Sequence, residues 1–461
     1  METPVEARRP RVLTLPFATV TPAAFALAVA VPILFLHIKY QLGVRVPLGS
    51  THLGLELSDA VVWLAAAAAL RESLRAGFGP LRAGRAVWIA AAALLVWIAV
   101  GVLHPLAWED GYSWLRHAVT AAKFGEYALL ALAVPLLLRR EVDLLLVYAT
   151  ATAWSVVATA VGLAQFLGVD ILDAWPAGNR QPSFLGHLDF AALSGFALAL
   201  GLAGIVFRPA PLRRPWATAT AIVSGGVGLV LAGASAGMAG MLAGTVALLF
   251  VAFRRRLLAP RQVLATAGIA AIVAGGVLTL RARDFDQFIR FLGVEPAQAD
   301  TRGEVQTYAH HALLAYIGYR MWLDHPVAGA GWQASSERQG YGPVLPAAHA
   351  RFPDQPAIAF PGPGHEYGVQ NAYVQALADL GAVGLLVWVG LFGTGLLVAL
   401  TASLRGPPEH GALAAFTLVL ALGLWGAQGL VAGLPLDALT WLGLGLAAAA
   451  AARAGGRRIA A

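Results

Sequence analysis

Apolar stretches long enough to cross a lipid bilayer recur from one end of the chain to the other, and they constrain its fold more than any other feature. They lie near 17–38, 54–70, 86–104, 117–138, 142–167, 188–207, 216–232, 234–252, 262–280, 382–403, 411–432 and 436–452. A bilayer core needs about 20 apolar residues per helix. Inside lipid the backbone must bond within its own segment, so stretches of this length are helices. The sequence therefore predicts an all-α polytopic membrane protein with about 12 transmembrane helices. Composition agrees: 58% of residues are hydrophobic and 12% charged, against about 25% charged in a soluble domain. This excludes an ordinary soluble enzyme, a disordered chain and a nucleic-acid binder. The uncharged run 216–252 is divided at Gly233-Ala234-Ser235-Ala236-Gly237. Its second half is read as either a tight return or a re-entrant segment.

Cation placement sets the orientation. With the N-terminus in the cytoplasm, 20 of the 32 Lys and Arg residues fall on inside segments, among them Arg71, Arg75, Arg139, Arg140, Arg254, Arg255 and Arg256. Only Lys39, Arg45, Arg116 and Arg180 fall in short outside loops. This asymmetry is the positive-inside pattern. The expectation is a multi-pass protein of a bacterial inner membrane with both termini cytoplasmic. No convincing small-residue cleavage site follows the first apolar stretch, which is read as a retained helix. Cysteine is absent, which excludes disulfides and thiolate chemistry.

One connection is far longer than the rest. Residues 281–370 form an extracytoplasmic loop, and loops of that length have a functional reason. The domain reading is therefore 1–280 for helices 1–9, 281–370 for the loop, and 371–461 for helices 10–12. Apolar residues at 305, 308, 312, 313, 316, 317 and 321 predict a helix from Arg302 to Trp322. The Pro- and Gly-rich stretch 340–364 is expected to be irregular. The GxxxG pairs Gly233/Gly237 and Gly240/Gly244 are expected to mark close helix packing within the subunit.

The chain has no phosphate-binding glycine loop, dinucleotide fingerprint, HExxH or Ser-His-Asp ordering. His310 and His311 are adjacent and face different sides of a helix, so neither a metal site nor a cofactor is expected. A transporter would carry polar residues at mid-membrane. The candidates are Asp59, Lys123, Glu126, Gln165 and Gln428, with Lys123 and Glu126 spaced to neutralise each other. They mark no clear ion path. The polar residues collect instead on the outside: Arg116, Arg180, His187 and Asp189 in short loops, and Arg281 to His365 in the long one. Arginine grips phosphate through paired hydrogen bonds, so an arginine-rich outer face suits an anionic lipid headgroup.

Three patterns resemble a known family. Asp324-His325-Pro326-Val327-Ala328-Gly329-Ala330-Gly331 is similar to the hPl.GvG signature of the O-antigen ligase and polymerase superfamily, the Wzy C-terminal family that includes the lipopolysaccharide ligases. Gln370-Asn371, followed after nine residues by Gly381 and then Gly384, resembles its H-N-x9-G-x2-G. Asn179 to Asp189 resembles its R.sgtf.hpN segment. The sequence departs at three places. Gln370 stands where the family has histidine, Asp189 where it has asparagine, and Ala234-Ser235-Ala236-Gly237 lacks the arginine of the family's Ser-Arg-Gly segment.

The resemblance implies a GT-C-like, metal-independent, inverting glycosyltransferase of cell-envelope polysaccharide biosynthesis. Its donor would be a glycan on undecaprenyl diphosphate in the outer leaflet, and its acceptor a hydroxyl on a glycan, lipid or protein. Arg180 and Arg302 match the phosphate-facing arginines, with Arg116 and Arg320 as second choices. The catalytic candidates are His365, Gln370 and Asn371. His365 is the base, because Gln370 cannot take a proton. The alternatives are a polysaccharide polymerase, and a transporter or lipid-handling protein without transferase activity.

Overall fold

The structure, a computed structural model, describes residues 22–49, 51–109, 112–208, 214–284, 286, 307–353, 355–363, 367–406, 426, 428–430, 432–434 and 438–455. Arg302, His365 and most of the apolar stretch 411–432 lie outside them. Helices occupy all the other stretches: α1 (Pro22–Leu34), α2 (Leu57–Ala76), α3 (Arg85–Leu103), α4 (Trp114–Leu137), α5 (Glu141–Phe166), α6 (His187–Phe207), α7 (Pro215–Ala232), α8 (Ser235–Arg254), α9 (Pro260–Leu280), then α10 (Thr307–Asp324), α11 (Arg338–Tyr341) and α12 (Leu345–Arg351) in the loop, and finally α13 (Ala372–Arg405) and α14 (Ala438–Gly455). Among the described residues nine segments are long and apolar enough to cross a membrane. The protein is an all-α polytopic membrane protein.

Burial sorts the spans. In α6 83% of the most apolar window is buried within the protein, and in α14 72%, against 22% in α9. The first two are central and α9 is peripheral. On the outer spans Leu264, Ile272, Leu386 and Val246 are more than two-thirds exposed, a surface that lipid must cover. Around α14, Phe124, Trp332, Trp388 and Trp441 form an aromatic core; the Phe124 ring lies 5.2 Å from Trp441 and 5.9 Å from Trp332.

The arginines of the segments read as cytoplasmic gather at one end and bond the carbonyls that helix C-termini leave open. Arg139 bonds Ala76 and Gly77, Arg453 bonds Leu138, and Arg255 bonds Ser403. Cations at these positions also complement the helix dipoles. The split of 216–252 falls at Gly233, whose φ of 59° ends α7. The helices on either side have 18 and 20 residues, so the second half is a full span.

Three local expectations change. Lys123 pairs with Glu56 and Asp59, at 3.5 and 3.3 Å, and not with Glu126. Asp59 projects from the first turn of α2 and also accepts from the Tyr127 hydroxyl, so this polar cluster ties α2 to α4. A two-stranded antiparallel hairpin, β1 (Gly43–Leu48) and β2 (Thr51–Glu56), precedes α2, in a segment partly assigned to the second span. Within 340–364 the chain forms short helical turns. Pro343 and Pro346 sit in their first turns, where a backbone N–H has no partner within the helix and proline's missing N–H costs little.

The loop has its own core of Leu313, Leu314, Ile317, Met321, Tyr341, Val344 and Phe360. It docks on α13 through backbone. Gly381 has φ 70° and ψ −173° and breaks α13. The carbonyls freed before the break accept from Ala330 N (onto Ala378), Gly331 N (onto Asp379) and Trp97 Nε1 (onto Leu380). Beyond it, Ala382 N and Val383 N donate to Pro326 and Val327. The two glycine motifs are thus two halves of one crossing.

Candidate active site

Opposite the arginine-rich end, a cavity of about 370 Å³ lies among the ends of α6, α8, α9 and α10. It is lined by Arg180, His187, Ser235, Arg281, His311 and Gln370, with Gly433 behind them. Each cation is held by local geometry. The side chain of Arg180 runs over Gly233, where a Cβ would collide with it, and its guanidinium lies 4.7 Å from the centre of the Trp175 ring. The neighbouring Gln181 is fully buried and fixes that turn: its N–H donates to Leu231 O, and its amide bonds the backbone of Trp175, Pro176 and Asn179. His187 packs on the same Trp175 ring.

Arg281 follows the last turn of α9 and is 6% exposed. It donates to Asp284 at 2.7 Å and to Ser235 Oγ at 3.3 Å. Ser235 belongs to the Ala234–Gly237 segment that lacks the family's arginine, so α9 delivers a guanidinium to that segment from outside it.

His311 stands in the second turn of α10. Burial pushes its imidazole below the usual histidine range, a hydrogen bond with the Gln370 backbone works against that, and Arg281 lowers it further. At neutral pH the ring is uncharged. Its buried Nδ1 has no hydrogen-bond partner among the described residues. The cavity therefore combines two cations with a neutral imidazole, an arrangement suited to an anion and a proton transfer side by side.

A family model described as O-antigen ligase matches residues 219–389. Over this segment the chain is similar to the O-antigen ligase family. No curated protein matches the chain. The matched segment runs from α7 through the loop to the α13 break. It contains Ser235, Arg281, His311, Gln370 and both glycine motifs, while Arg180 precedes it.

The remaining sequence candidates are distributed as follows. Gln370 lines the cavity beside His311. Asn371 caps α13: its Oδ1 accepts from Tyr373 N and Val374 N, and its Nδ2 donates to Leu430 O. Arg116 lies elsewhere, 3.1 Å from Glu337. Arg320, on α10, does not line the cavity either. His310 turns away from His311 and meets the Tyr367 ring edge-on. Among the described residues no group of three or more His, Asp and Glu side chains is placed to hold a metal ion. Gln165 is buried and bonds the backbone of Ser183 and Ile171, which shapes the turn before α6.

Sequence reasoning missed His311. The adjacency of His310 and His311 raises only the question of a metal pair. The groups that give His311 its setting, Arg281 and Gln370, are distant in sequence.

Proposed function

We propose that the protein transfers a glycan from undecaprenyl diphosphate to an acceptor hydroxyl at the outer face of the cytoplasmic membrane. The convergence of Arg180, Arg281 and neutral His311 on one cavity carries this reading. Arg180 and Arg281 hold the diphosphate and stabilise the negative charge that grows on it as the bond to the anomeric carbon breaks. His311 accepts the proton of the attacking hydroxyl. The hydroxyl attacks from the face opposite the leaving diphosphate, so the anomeric centre inverts, and no step needs a metal ion. Arg302 and His365 belong to the proposal as further phosphate-binding and base candidates. Their alanine variants complete the mutational set.

The test is incubation of the purified protein with an undecaprenyl-diphosphate glycan and separate glycan, lipid and protein acceptors. Release of lipid diphosphate with one acceptor supports the reading. Absence of release with all of them overturns it in favour of a lipid-handling role. A second lipid-linked glycan as the productive acceptor identifies a polymerase. EDTA is expected to leave the rate unchanged.

His311 gives a pH signature. Its lowered pKa makes it the neutral base above that value and inactive below it. The rate of transfer is expected to fall as pH drops through a pKa below the ordinary ~6.5. In His311→Gln the rate should drop on the order of 10²–10⁴-fold and that acid limb should vanish. An unchanged limb in this variant, together with its loss in His365→Gln, would move the base to His365.

A further inference from the structure

A second cavity, of about 400 Å³, opens at the other end of α10. Its walls include Trp108, Glu109, Tyr112, His117, Asp324 and Glu337. Its chemistry is the reverse of the first: carboxyl groups and aromatic rings, with no arginine among the described residues of the lining. Tyr112 is 8% exposed and stacks on His117 at 4.6 Å. Its hydroxyl has no hydrogen-bond partner among the described residues. A buried hydroxyl left in that state is unfavourable unless a ligand or water completes it.

His117 and Glu337 form the fixed part of the wall. The His117 ring is 1% exposed, and its Nδ1 lies 2.5 Å from Trp332 O. A carbonyl only accepts, so Nδ1 carries a proton. Nε2 lies 3.2 Å from Glu337 Oε2. Arg116 holds Oε1. Burial works against the Glu337 carboxylate, but His117 and Arg116 outweigh it and hold it below the usual range. Glu337 is thus already satisfied. Glu109, raised by burial and by Glu337, remains open to a ligand with Tyr112. Trp108, 49% exposed, offers ring surface at the rim.

A cavity walled by carboxyl groups repels phosphate and carboxylate. Carboxyl and phenol groups pair with ligand hydroxyls, and an indole covers the C–H face of a pyranose. We propose that this cavity is a carbohydrate subsite that binds uncharged sugar residues of a glycan substrate. The inference rests on the transferase reading for the origin of the glycan. His311 and Met321 mark the two cavities, and ten helical residues separate them by about 15 Å. A glycan reaching away from the diphosphate site can lie along α10.

The experiment is saturation-transfer NMR on the full chain in nanodiscs, with the methyl glycosides of glucose, galactose, mannose, rhamnose and N-acetylglucosamine as probes. At least one glycoside should receive saturation on its ring protons. Trp108→Ala and Tyr112→Phe should each weaken that binding roughly tenfold. Tyr112→Phe keeps the ring that stacks on His117, so it tests the hydroxyl without disturbing the fold. Arg180→Ala should bind as the wild type does. Silence from every probe, or signals that persist in both variants, would overturn the subsite. Binding of free glycosides does not require lipid-diphosphate release, so failure of the transferase reading would be seen separately. In turnover, a KM effect of Tyr112→Phe on the donor alone assigns the bound sugars to the donor; an effect on the acceptor alone assigns them to the acceptor.

Discussion

Arg281→Ala is expected to lower glycan transfer on the order of 10²–10³-fold while the protein remains folded. Arg281 is buried, and its partners are the carboxylate of Asp284, one-third exposed, and the Ser235 hydroxyl. A guanidinium held in place by that ion pair is preorganised to donate to the leaving diphosphate. Arg281→Lys should recover only part of the rate, since an ammonium offers a point charge without the paired donors that match phosphate. Arg180→Ala should show a loss of the same order. The double variant should lose less than the product of the two, because both cations act on one group. Initial rates of lipid-diphosphate release provide the measurement, with thermal unfolding in detergent as the control. Wild-type rates in both single variants would remove the diphosphate site from this cavity.

The spans were legible because the bilayer imposes a length that composition reports directly. The arginine-rich end was legible because positive charge is distributed along the sequence in the same alternation as the helices across the membrane. What the sequence hid were pairings made across the fold. Lys123 has a carboxylate three residues away, and helical spacing favoured it, but α2 brings Asp59 and Glu56 closer. The β1–β2 hairpin carried only a short local sign, the Gly-Ser dipeptide that the sequence places between Leu48 and Thr51. The site divides in the same way. Arg180 and Gln370 were found by motif and do line the cavity. Arg281 and His311 complete it only because α9 and α10 end and begin there, a fact of tertiary geometry that no spacing encodes.

Gly381→Ala is expected to destabilise the protein by roughly 2–5 kcal/mol and to undock the loop. Two costs combine. The backbone at Gly381 occupies a region that essentially only glycine adopts, which costs about 1–3 kcal/mol for another residue. A Cβ there would also strike Val327 O, Val327 C and Ala328 N, which are backbone atoms and cannot rotate away. The chain would have to separate the crossing that joins Ala330 and Gly331 to Ala378 and Asp379, leaving buried carbonyls without donors. Gly329→Ala should act similarly, because its Cβ would meet the backbone of Asp379 and Leu380. Gly390→Ala, on the same helix with open space around it, should change stability by no more than about 1 kcal/mol. Thermal unfolding of the three variants separates these outcomes, and hydrogen exchange over α10 reports whether the loop has left α13. If Gly381→Ala unfolds like Gly390→Ala, the crossing does not hold the loop. If the loop undocks, transfer should fail although Arg180 and Arg281 are intact, because His311 reaches the cavity only on the docked loop.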